Sequence, residues 1–502
     1  MTFLITTGEE GLQESEKRVY GGLNFFFEDF EEIEEEVFLN PGLGPKPDFR
    51  SVEELPEKLK GGFTAVSFEK GLEIVRDVFG SRPVYFVEEN GVHISDRIKP
   101  LLKFTDAEVN EDVALDYLHS GLVDHRRETF FAEVKQLRPG EALNYDGKLE
   151  IKDVEAELKV DKDAEKLLRE EIEGRVPGEE FVCPVSGGLD STVVAEMAEE
   201  ADFVHTSFNV DTGDEKYFQE LRPELGQVEE FEFAVGELLK HVDESLRIHE
   251  QPTGMIAVQA QDLLYQRISE TRGGSVIVDG TGADELFYGY PDFTPYFIKH
   301  RFEKGLIPGL KAFKDYRYML DRFRWRELLR LLIPFYDNDL KVPEIDRSDI
   351  ERPNSLEEAF EYNLRESDFP HILHSMTKSS EAFDHRVIPA FLSPRLLEKA
   401  RDLEVERSFA EGKTKNIVRE AFREDLPDKI LERKKKTGFI RLEGFRPEFS
   451  EEFDRVFGSE SFQNRGFFDG ELFYRRFREG FQGFFRCYRF YCLEKWMRIY
   501  MD

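Results

Sequence analysis

The chain has 502 residues, of which 69 are basic and 104 acidic, giving a formal net charge of −35. This length allows two or three domains with ample core, and the acidic excess argues against nucleic acid as a partner, because phosphate binding needs a basic face. We expect neither a membrane span nor a signal peptide, since no stretch approaches 18 uninterrupted apolar residues and the N-terminus lacks a basic region followed by an apolar one. Cys183, Cys487 and Cys492 have no metal-ligand spacing, which predicts buried thiols in a reducing, cytoplasmic setting.

The first predicted region is rich in strands. From Gly61 to about Ile151, short apolar runs alternate with turn signals, as in "GGFTAVSF" and "RPVYFVEENGVHIS". The pair Asn90-Gly91 favours the positive φ angles of a tight type I′ turn and predicts a hairpin. We therefore predict a smaller β-rich domain over residues 1–152. The phenylalanine clusters "LNFFFEDF" and "FQGFFRCYRF" are interpreted as core.

The second predicted region alternates strands and helices. It begins after the charged helical stretch "DAEKLLREEIEGRV", and "GEEFVCPVSGGLDSTVVAEMAEEADFVHTSFNV" has the pattern strand, glycine loop, helix, strand. A further strand is predicted in "GGSVIVDGTGADELF". These elements predict an α/β domain over residues 160–502, with a parallel sheet covered by helices. From Pro291 to the end the pattern is almost wholly helical.

The glycine loop between strand and helix predicts a phosphate site. A strand that ends at Val185 delivers Ser186, Gly187 and Gly188 to a turn in which side chains at the glycines would block close approach to the backbone. The start of the following helix adds unsatisfied N–H donors and a favourable dipole. Asp190 would hold a divalent cation that bridges phosphate oxygens. Ser191 has the alternative role of a helix cap.

Three ordered motifs resemble the asparagine synthetase family. "SGGLDS" is similar to the pyrophosphate loop of ATP-pyrophosphatases, which transfer AMP to a carbonyl oxygen and release pyrophosphate. "DGTGADELFYGY" and "KTKNIVREAFREDLPDKILERKKKTGF" resemble the second and the C-terminal signatures of the asparagine synthetases. The stretch from "GGFTAV" to "KQLRPGEAL" resembles the second half of their glutaminase domain, a class II amidotransferase-like fold of the Ntn-hydrolase type.

The resemblance implies ATP and Mg²⁺ as cofactors, with Asp190 and Asp284 as the Mg²⁺ carboxylates. The alternative role of Asp284 is a helix N-cap. Lys436 matches the lysine that neutralises charge developing between the α-phosphate and the substrate carboxylate, and its alternative is a solvated basic patch. Thr281 lies at the catalytic position of the second loop. The residues expected at the nucleotide are Ser186, Gly187, Gly188, Asp190 and Ser191 at the pyrophosphate, with Asp279 and Gly280 at the adenine.

Two departures from the family pattern affect the expected substrates. The family's glutaminase has a cysteine after the initiator methionine, where this chain has Thr2, and too few residues precede Gly61 for the rest of the glutamine site. We therefore expect no glutaminase activity and free ammonia or another amine as nucleophile. At Thr281 the asparagine synthetases carry an acidic residue and the relatives that close β-lactam rings carry tyrosine, so the acceptor acid need not be aspartate.

The sequence thus leads to an AMP-forming amide synthetase that adenylates a small-molecule carboxylate, aspartate or a related acid, and transfers ammonia or another amine to it, without nucleic acid or membrane partners. Amidation or cyclisation of a peptide or specialised-metabolite acid is one alternative, and a catalytically inactive nucleotide-binding regulator is another. The intact loop, Asp284 and Lys436 argue against the inactive form. The sequence is compatible with a homodimer.

Overall fold

The computed structural model describes residues 3–6, 16–20, 23–27, 31–34, 37–41, 63–68, 71–89, 91–154, 160–178, 180–198, 201–209, 215–322, 353–434, 446–480 and 482–502. The strands are β1 Phe3–Thr6, β2 Glu16–Tyr20, β3 Leu23–Phe27, β4 Glu31–Glu34, β5 Val37–Pro41, β6 Phe63–Ser67, β7 Leu72–Arg76, β8 Tyr85–Val87, β9 His93–Ser95, β10 Lys135–Gln136, β11 Glu141–Tyr145, β12 Leu149–Asp153, β13 Val182–Pro184, β14 Asp202–Phe208, β15 Val228–Phe233, β16 Val276–Asp279 and β17 Arg386–Pro389.

The helices are α1 Glu111–Ser120, α2 Ala164–Glu173, α3 Leu189–Glu196, α4 Glu215–Leu225, α5 Val235–His249, α6 Ile256–Arg272, α7 Ala283–Leu286, α8 Thr294–Glu303, α9 Leu306–Tyr316, α10 Leu356–Arg365, α11 Asp368–Ala382, α12 Pro394–Asp402, α13 Asn416–Ala421, α14 Asp428–Leu431, α15 Arg446–Phe457, α16 Glu460–Gln463, α17 Gly470–Arg478 and α18 Phe484–Tyr500. None of the helices in the described ranges is long and apolar enough to cross a membrane.

The strands up to β12 form two antiparallel sheets, with the orders β10-β8-β9-β1-β3-β2 and β12-β11-β7-β6-β5-β4. Phe3 and Phe86 of the first sheet and Val66 and Ile74 of the second belong to one buried apolar cluster, so the two sheets pack face to face. The strand-rich prediction is therefore confirmed here. The predicted hairpin corresponds to the antiparallel pair β8 and β9, although Asn90 itself lies outside the described residues.

The later strands form a parallel sheet with the order β15-β14-β13-β16-β17. Strand β13 lies at its centre, so the glycine loop that follows it opens at the carboxyl edge, beside the end of β16. This arrangement confirms the predicted α/β fold. After Pro291 the described residues are almost wholly helical, as predicted, and the exception is β17, which pairs with β16 through Ile388 and Val278.

A buried polar interface joins the antiparallel sheets to the helices that follow. The carboxylate of Glu250, at the end of α5, accepts hydrogen bonds from the backbone N–H groups of Ile98 and Lys99, both at 3.0 Å. The ammonium group of Lys378 on α11 lies 3.3 Å from the same carboxylate and also donates to the hydroxyl of Tyr85. Because these groups are buried, each depends on its partners from the other side of the interface.

The C-terminal helices enclose an aromatic core. Phe473 and Phe490 stack with their ring centres 3.8 Å apart, and Phe457 contacts Phe473 edge to face. The core interpretation of "FQGFFRCYRF" is confirmed for Phe490, whereas Phe485 is exposed. All three cysteines are buried and none forms a disulfide, as predicted.

Candidate active site

The predicted phosphate loop lies at the carboxyl end of β13. Gly187 has φ +70°, and a Cβ atom there would lie 2.4 Å from the backbone nitrogen of Phe218 and 2.5 Å from the carbonyl carbon of Tyr217. Only glycine fits this left-handed conformation against the backbone of α4. The loop is therefore shaped by its contact with α4, while the exposed Ser186 faces solvent.

Two serines join the start of the loop to the first turn of α3. The hydroxyl of Ser191 accepts a hydrogen bond from the backbone N–H of Ser186 at 3.2 Å, and the two hydroxyl oxygens are 3.1 Å apart. The alternative of Ser191 as helix cap was wrong. The N-cap of α3 is Gly188, which has no side chain to cap the first N–H groups. The helix start is thus left without a side-chain acceptor, as a phosphate-binding helix requires.

The two predicted metal carboxylates meet at one ammonium group. Lys415 Nζ lies 2.7 Å from both carboxylate oxygens of Asp190 and 2.7 Å from Oδ1 of Asp284. All three residues are buried. Lys415 also has a left-handed backbone with φ +53°, so the chain accepts local strain to place this side chain. The structure therefore brings together two carboxylates from distant segments around one positive charge.

Sequence reasoning missed Lys415. It lies inside the quoted C-terminal motif, directly before α13, but nothing in the motif distinguishes it from Lys413. The Lys413 ammonium pairs instead with Glu432, at 2.9 Å and 3.0 Å from its two carboxylate oxygens. Lys415 could have been found only by pairing it with Asp190 and Asp284. These residues are far apart in the sequence, so their spacing does not indicate the contact.

The second predicted loop follows β16 and touches the first. A Cβ atom at Gly280 would lie 2.7 Å from the Cβ atom of Asp190, so glycine is required where β16 ends against α3. The backbone N–H of Thr281 donates a hydrogen bond to Oδ1 of Asp279 at 3.0 Å. Removal from water raises the pKa of the Asp279 carboxyl to about 6, although its hydrogen bonds from Thr281 act in the opposite direction.

The proposed alternative of Asp284 as an N-cap was also wrong. The N-cap of α7 is Gly282, whose backbone N–H donates to Glu285 at 3.1 Å. The other carboxylate oxygen of Glu285 accepts a hydrogen bond from the Tyr290 hydroxyl at 2.5 Å. Glu285 thus closes the helix start, which leaves the Asp284 side chain directed towards Lys415.

The basic C-terminal segment packs on the phosphate loop. Arg419, buried on α13, donates to the carbonyl oxygens of Ile430, Leu431 and Arg433 and so fixes the backbone of the segment. Arg433 in turn donates to the carbonyl oxygen of Gly187 at 3.1 Å. Lys436, the predicted catalytic lysine, lies outside the described residues, which end before it at residue 434.

This donor set suits a magnesium nucleotide. Two carboxylates that approach one cation supply hard oxygen ligands, and phosphate oxygens and water complete the preference of Mg²⁺. Asp190 lies in the uncapped first turn of α3, where the next residue, Ser191, contacts the exposed Ser186. Within the described part of the chain there is no group of three or more His, Cys, Asp or Glu side chains that would hold a metal without such outside ligands.

A central strand, a glycine loop under an uncapped helix and two converging acids define an α/β protein of the ATP-pyrophosphatase class. The family model "Asparagine synthase" matches residues 163–497, and the model "Glutamine amidotransferase domain" matches residues 51–154. The chain belongs to the asparagine synthase family.

Curated relatives support this assignment at low identity. The chain is 25% identical over 402 residues to asparagine synthetase (glutamine-hydrolyzing) 3 of Bacillus subtilis, covering 72% of this chain and 63% of the relative. It is 24% identical over 441 residues to synthetase 1 of the same organism, covering 76% and 68%. A putative asparagine synthetase of Methanocaldococcus jannaschii is 24% identical over 417 residues, covering 76% and 69%. The chain thus spans less than two thirds of the length of the first of these relatives.

Proposed function

We propose that the chain is an AMP-forming amide synthetase that uses ATP and Mg²⁺ to activate a small-molecule carboxylate and then transfers ammonia or another amine to it. The observation that carries this proposal is the convergence of Asp190 and Asp284 on Lys415 beside the glycine loop. Burying Asp190 and Asp284 around Lys415, whose backbone is in the left-handed region, costs free energy. A regulator that had lost catalysis would not need this arrangement.

The chemistry has two steps. An oxygen of the substrate carboxylate attacks the α-phosphorus of ATP, the bond to the β-phosphate oxygen breaks, and pyrophosphate leaves. The amine nitrogen then attacks the acyl carbon, the bond to AMP breaks, and the amine loses a proton. When bound, Mg²⁺ supplies charge neutralisation at the phosphates, and Asp190 and Asp284 would hold it.

The residues of the chain bind and orient the reactants. We propose that Ser186, Gly187, Gly188 and Ser191 line the pyrophosphate, since they form the exposed turn and the uncapped helix start. Gly280 and Asp279 would approach the adenine from the neighbouring strand end, and Lys436 would neutralise charge in the first transition state. Arg419 and Arg433 hold the segment that leads to Lys436 against the loop.

The acid and the amine remain part of the proposal. We propose aspartate or a related acid as the carboxylate; because Thr281 has no ionisable side chain at the catalytic position of the second loop, a peptide or specialised-metabolite acid that is amidated or cyclised is the alternative. We also propose that the enzyme does not hydrolyse glutamine. Residues 1–152 and 160–502 are proposed as its two domains. We propose the cytoplasm as its location.

Pyrophosphate release in the presence of ammonium, measured across a panel of carboxylic acids, tests the proposed function. We expect ATP-dependent release with at least one acid, formation of AMP in equal amount, and no release in the Asp190→Asn variant. Asn removes a negative ligand but keeps the size of the side chain. Absence of release with every acid, or equal release in the variant, would contradict the proposal. Glutamate release from glutamine at a comparable rate would refute the ammonia assignment.

A further inference from the structure

The helix α9 exposes apolar side chains on its outer face. Among the described residues, five large apolar side chains are exposed, and four of them lie on this one helix. The exposed fractions are 69% for Leu306, 82% for Ile307, 54% for Leu310 and 42% for Phe313, and the fifth residue, Phe485, lies on α18. Single exposed apolar side chains are ordinary in proteins, whereas a contiguous group of them indicates an interaction surface.

The inner face of α9 fixes the helix on the protein. A Cβ atom at Gly309 would lie 2.2 Å from Cδ1 of Phe302 on α8, so glycine is required where these two helices pack. Ala312 and Tyr316 on the same face are buried, and the Tyr316 hydroxyl lies 3.2 Å from the carbonyl oxygen of Lys413. Since this face is already packed, the apolar side chains on the opposite side of the helix are left for a partner.

The outer face of α9 is also positively charged, although the chain as a whole has 104 acidic and 69 basic residues. Lys311 and Lys314 are exposed among the apolar side chains, and the exposed Arg317 follows the end of the helix. Within the described residues these three cations form no ion pair. The acidic residue of the helix, Asp315, is half-buried at the edge of this face. A local cationic surface on an acidic chain favours an anionic partner.

We propose that α9 docks the protein on an anionic lipid surface, with its apolar side chains between the headgroups and Lys311 and Lys314 at the lipid phosphates. Such a helix lies in the plane of the surface. The proposal therefore agrees with the finding that none of the helices in the described ranges could cross a membrane. It revises the expectation that the chain has no membrane partner, because that expectation considered spanning segments alone. The inference is independent of the proposed function.

A second copy of the chain fits the outer face of α9 less well. The exposed fractions of the four apolar side chains amount to roughly 500 Å², less than the about 800 Å² that each partner of a stable protein interface buries. A symmetric contact through α9 would also bring Lys311 and Lys314 of both copies together without an acidic residue between them. Lipid phosphates neutralise these lysines, and the acyl chains take up the apolar side chains.

Sedimentation of the whole chain with lipid vesicles tests the proposal. Phosphatidylcholine vesicles that contain about 30% phosphatidylglycerol are compared with vesicles of phosphatidylcholine alone, at about 0.1 M NaCl. We expect binding to the anionic vesicles, and binding at least about tenfold weaker to the neutral ones and to the anionic ones at about 1 M NaCl. Absence of binding to the anionic vesicles, or equal binding to both kinds, would overturn the inference.

The double variant Ile307→Gln with Leu310→Gln tests the apolar contact. Glutamine keeps a good helix propensity and adds no charge, so the variant should have the unfolding temperature of wild type. We expect its binding to anionic vesicles to fall by about tenfold or more, because two inserted apolar side chains are lost. Phe485→Gln is the control, since it removes an exposed apolar side chain from α18 and should leave binding within about twofold of wild type. Equal binding of the double variant and the control would contradict the proposal.

The double variant Lys311→Glu with Lys314→Glu tests the contact with phosphate. Its control is Lys148→Glu with Lys152→Glu, which changes the net charge equally at two exposed positions outside α9, with side chains 79% and 60% exposed. We expect about tenfold or greater loss of binding in the α9 variant and a change within about twofold in the control. Equal losses in the two variants would show that only net charge matters and would overturn the inference.

The oligomeric state distinguishes a lipid surface from a second copy of the chain. Analytical ultracentrifugation without lipid should give the same mass for wild type and for Ile307→Gln with Leu310→Gln. A wild-type dimer that this variant dissociates would assign the outer face of α9 to a second copy and overturn the proposal. None of these measurements involves ATP, so their outcome and that of the pyrophosphate-release experiment are independent.

Discussion

Arg433 donates a hydrogen bond from Nη1 to the carbonyl oxygen of Gly187 across 3.1 Å and joins the basic C-terminal segment to the phosphate loop. The guanidinium group also lies 3.8 Å from the centre of the Tyr217 ring, which covers one face of the guanidinium plane. Since Gly187 packs on the backbone of α4 at Tyr217, the arginine holds three segments at one point. The position of the segment that carries Lys436 is thus coupled to the shape of the loop.

This coupling predicts the effect of Arg433→Ala. The variant loses a charge-assisted hydrogen bond and the contact with the ring, so the loop samples more conformations before it binds phosphate. We expect the KM for ATP to rise roughly tenfold, about 1.4 kcal/mol, with a smaller change in kcat. Tyr217→Phe is the control, because it keeps the ring and should leave KM unchanged. A KM for ATP equal to wild type in Arg433→Ala would contradict the coupling.

The position of Lys415 between two proposed Mg²⁺ ligands predicts that Mg²⁺ and the Lys415 ammonium group stabilise the fold in the same way. In Lys415→Met, two buried carboxylates face each other without a cation, and we expect the free energy of unfolding without Mg²⁺ to fall by about 3–5 kcal/mol. Added Mg²⁺ should then stabilise this variant more than it stabilises wild type, because the ion takes the place of the missing charge. Chemical denaturation with and without Mg²⁺ measures both effects.

A matched control is available on α14. Lys429 pairs with Glu220 at 3.0 Å but its side chain is largely exposed, so Lys429→Met should change the free energy of unfolding by less than about 1 kcal/mol. Equal losses in the two variants, or an equal response to Mg²⁺ in Lys415→Met and wild type, would show that the ammonium does not substitute for a metal.

The sequence was sufficient for the parts of the site that depend on local pattern. A strand, two glycines and a helix predict the loop at Gly187, and the same logic places Asp279 at the end of β16. Roles that depend on distant partners could not be predicted. Lys415 acquires its role from two acids that lie more than 130 residues earlier in the chain. Ser191 bonds back to Ser186 because the loop folds over the helix, which the sequence does not specify.

The strand β17 illustrates the same limit for the fold. Its four residues, Arg386–Pro389, lie between two long helical patterns, so their apolar character alone does not distinguish a strand from a buried connection. Residues 386–389 form a strand because the backbone N–H and C=O groups at the edge of β16 require hydrogen-bond partners, and β17 supplies them. The long-range pairing, rather than the local sequence, makes this segment a strand.

The buried interface predicts a pH-dependent contribution to stability. Burial acts to raise the pKa of Glu250, but Lys378, Arg97 and two backbone N–H donors outweigh it, so the pKa lies below the ordinary value of 4.5. Such a carboxylate contributes its full stability above pH 4.5 and loses it as the pH falls through the folded pKa. Glu250→Gln should therefore cost about 3–5 kcal/mol at pH 7 and have a flatter acid limb in a plot of unfolding free energy against pH.

Glu270 on α6 provides the comparison, because it is exposed and pairs with Arg267 on the same helix at 3.3 Å. Glu270→Gln should leave both the free energy at pH 7 and the acid limb within about 1 kcal/mol of wild type. If the two variants lose the same free energy, or if the acid limb of Glu250→Gln matches that of wild type, the interface does not depend on this carboxylate.

The last prediction concerns Lys436, for which Lys434 is an internal control. The Tyr318 hydroxyl lies 2.6 Å from the carbonyl oxygen of Gly412 and 2.9 Å from that of Lys434, and the Lys434 side chain is exposed, so Lys434→Ala keeps this backbone contact and removes only a solvated charge. If Lys436 meets charge that develops in the first transition state, Lys436→Ala should lower kcat by about 10²-fold, roughly 3 kcal/mol, with ATP affinity little changed. Lys434→Ala should lose far less. Pyrophosphate release and calorimetric ATP binding measure the two quantities, and equal, mild losses in both variants would identify the stretch as a basic patch and remove the catalytic assignment of Lys436.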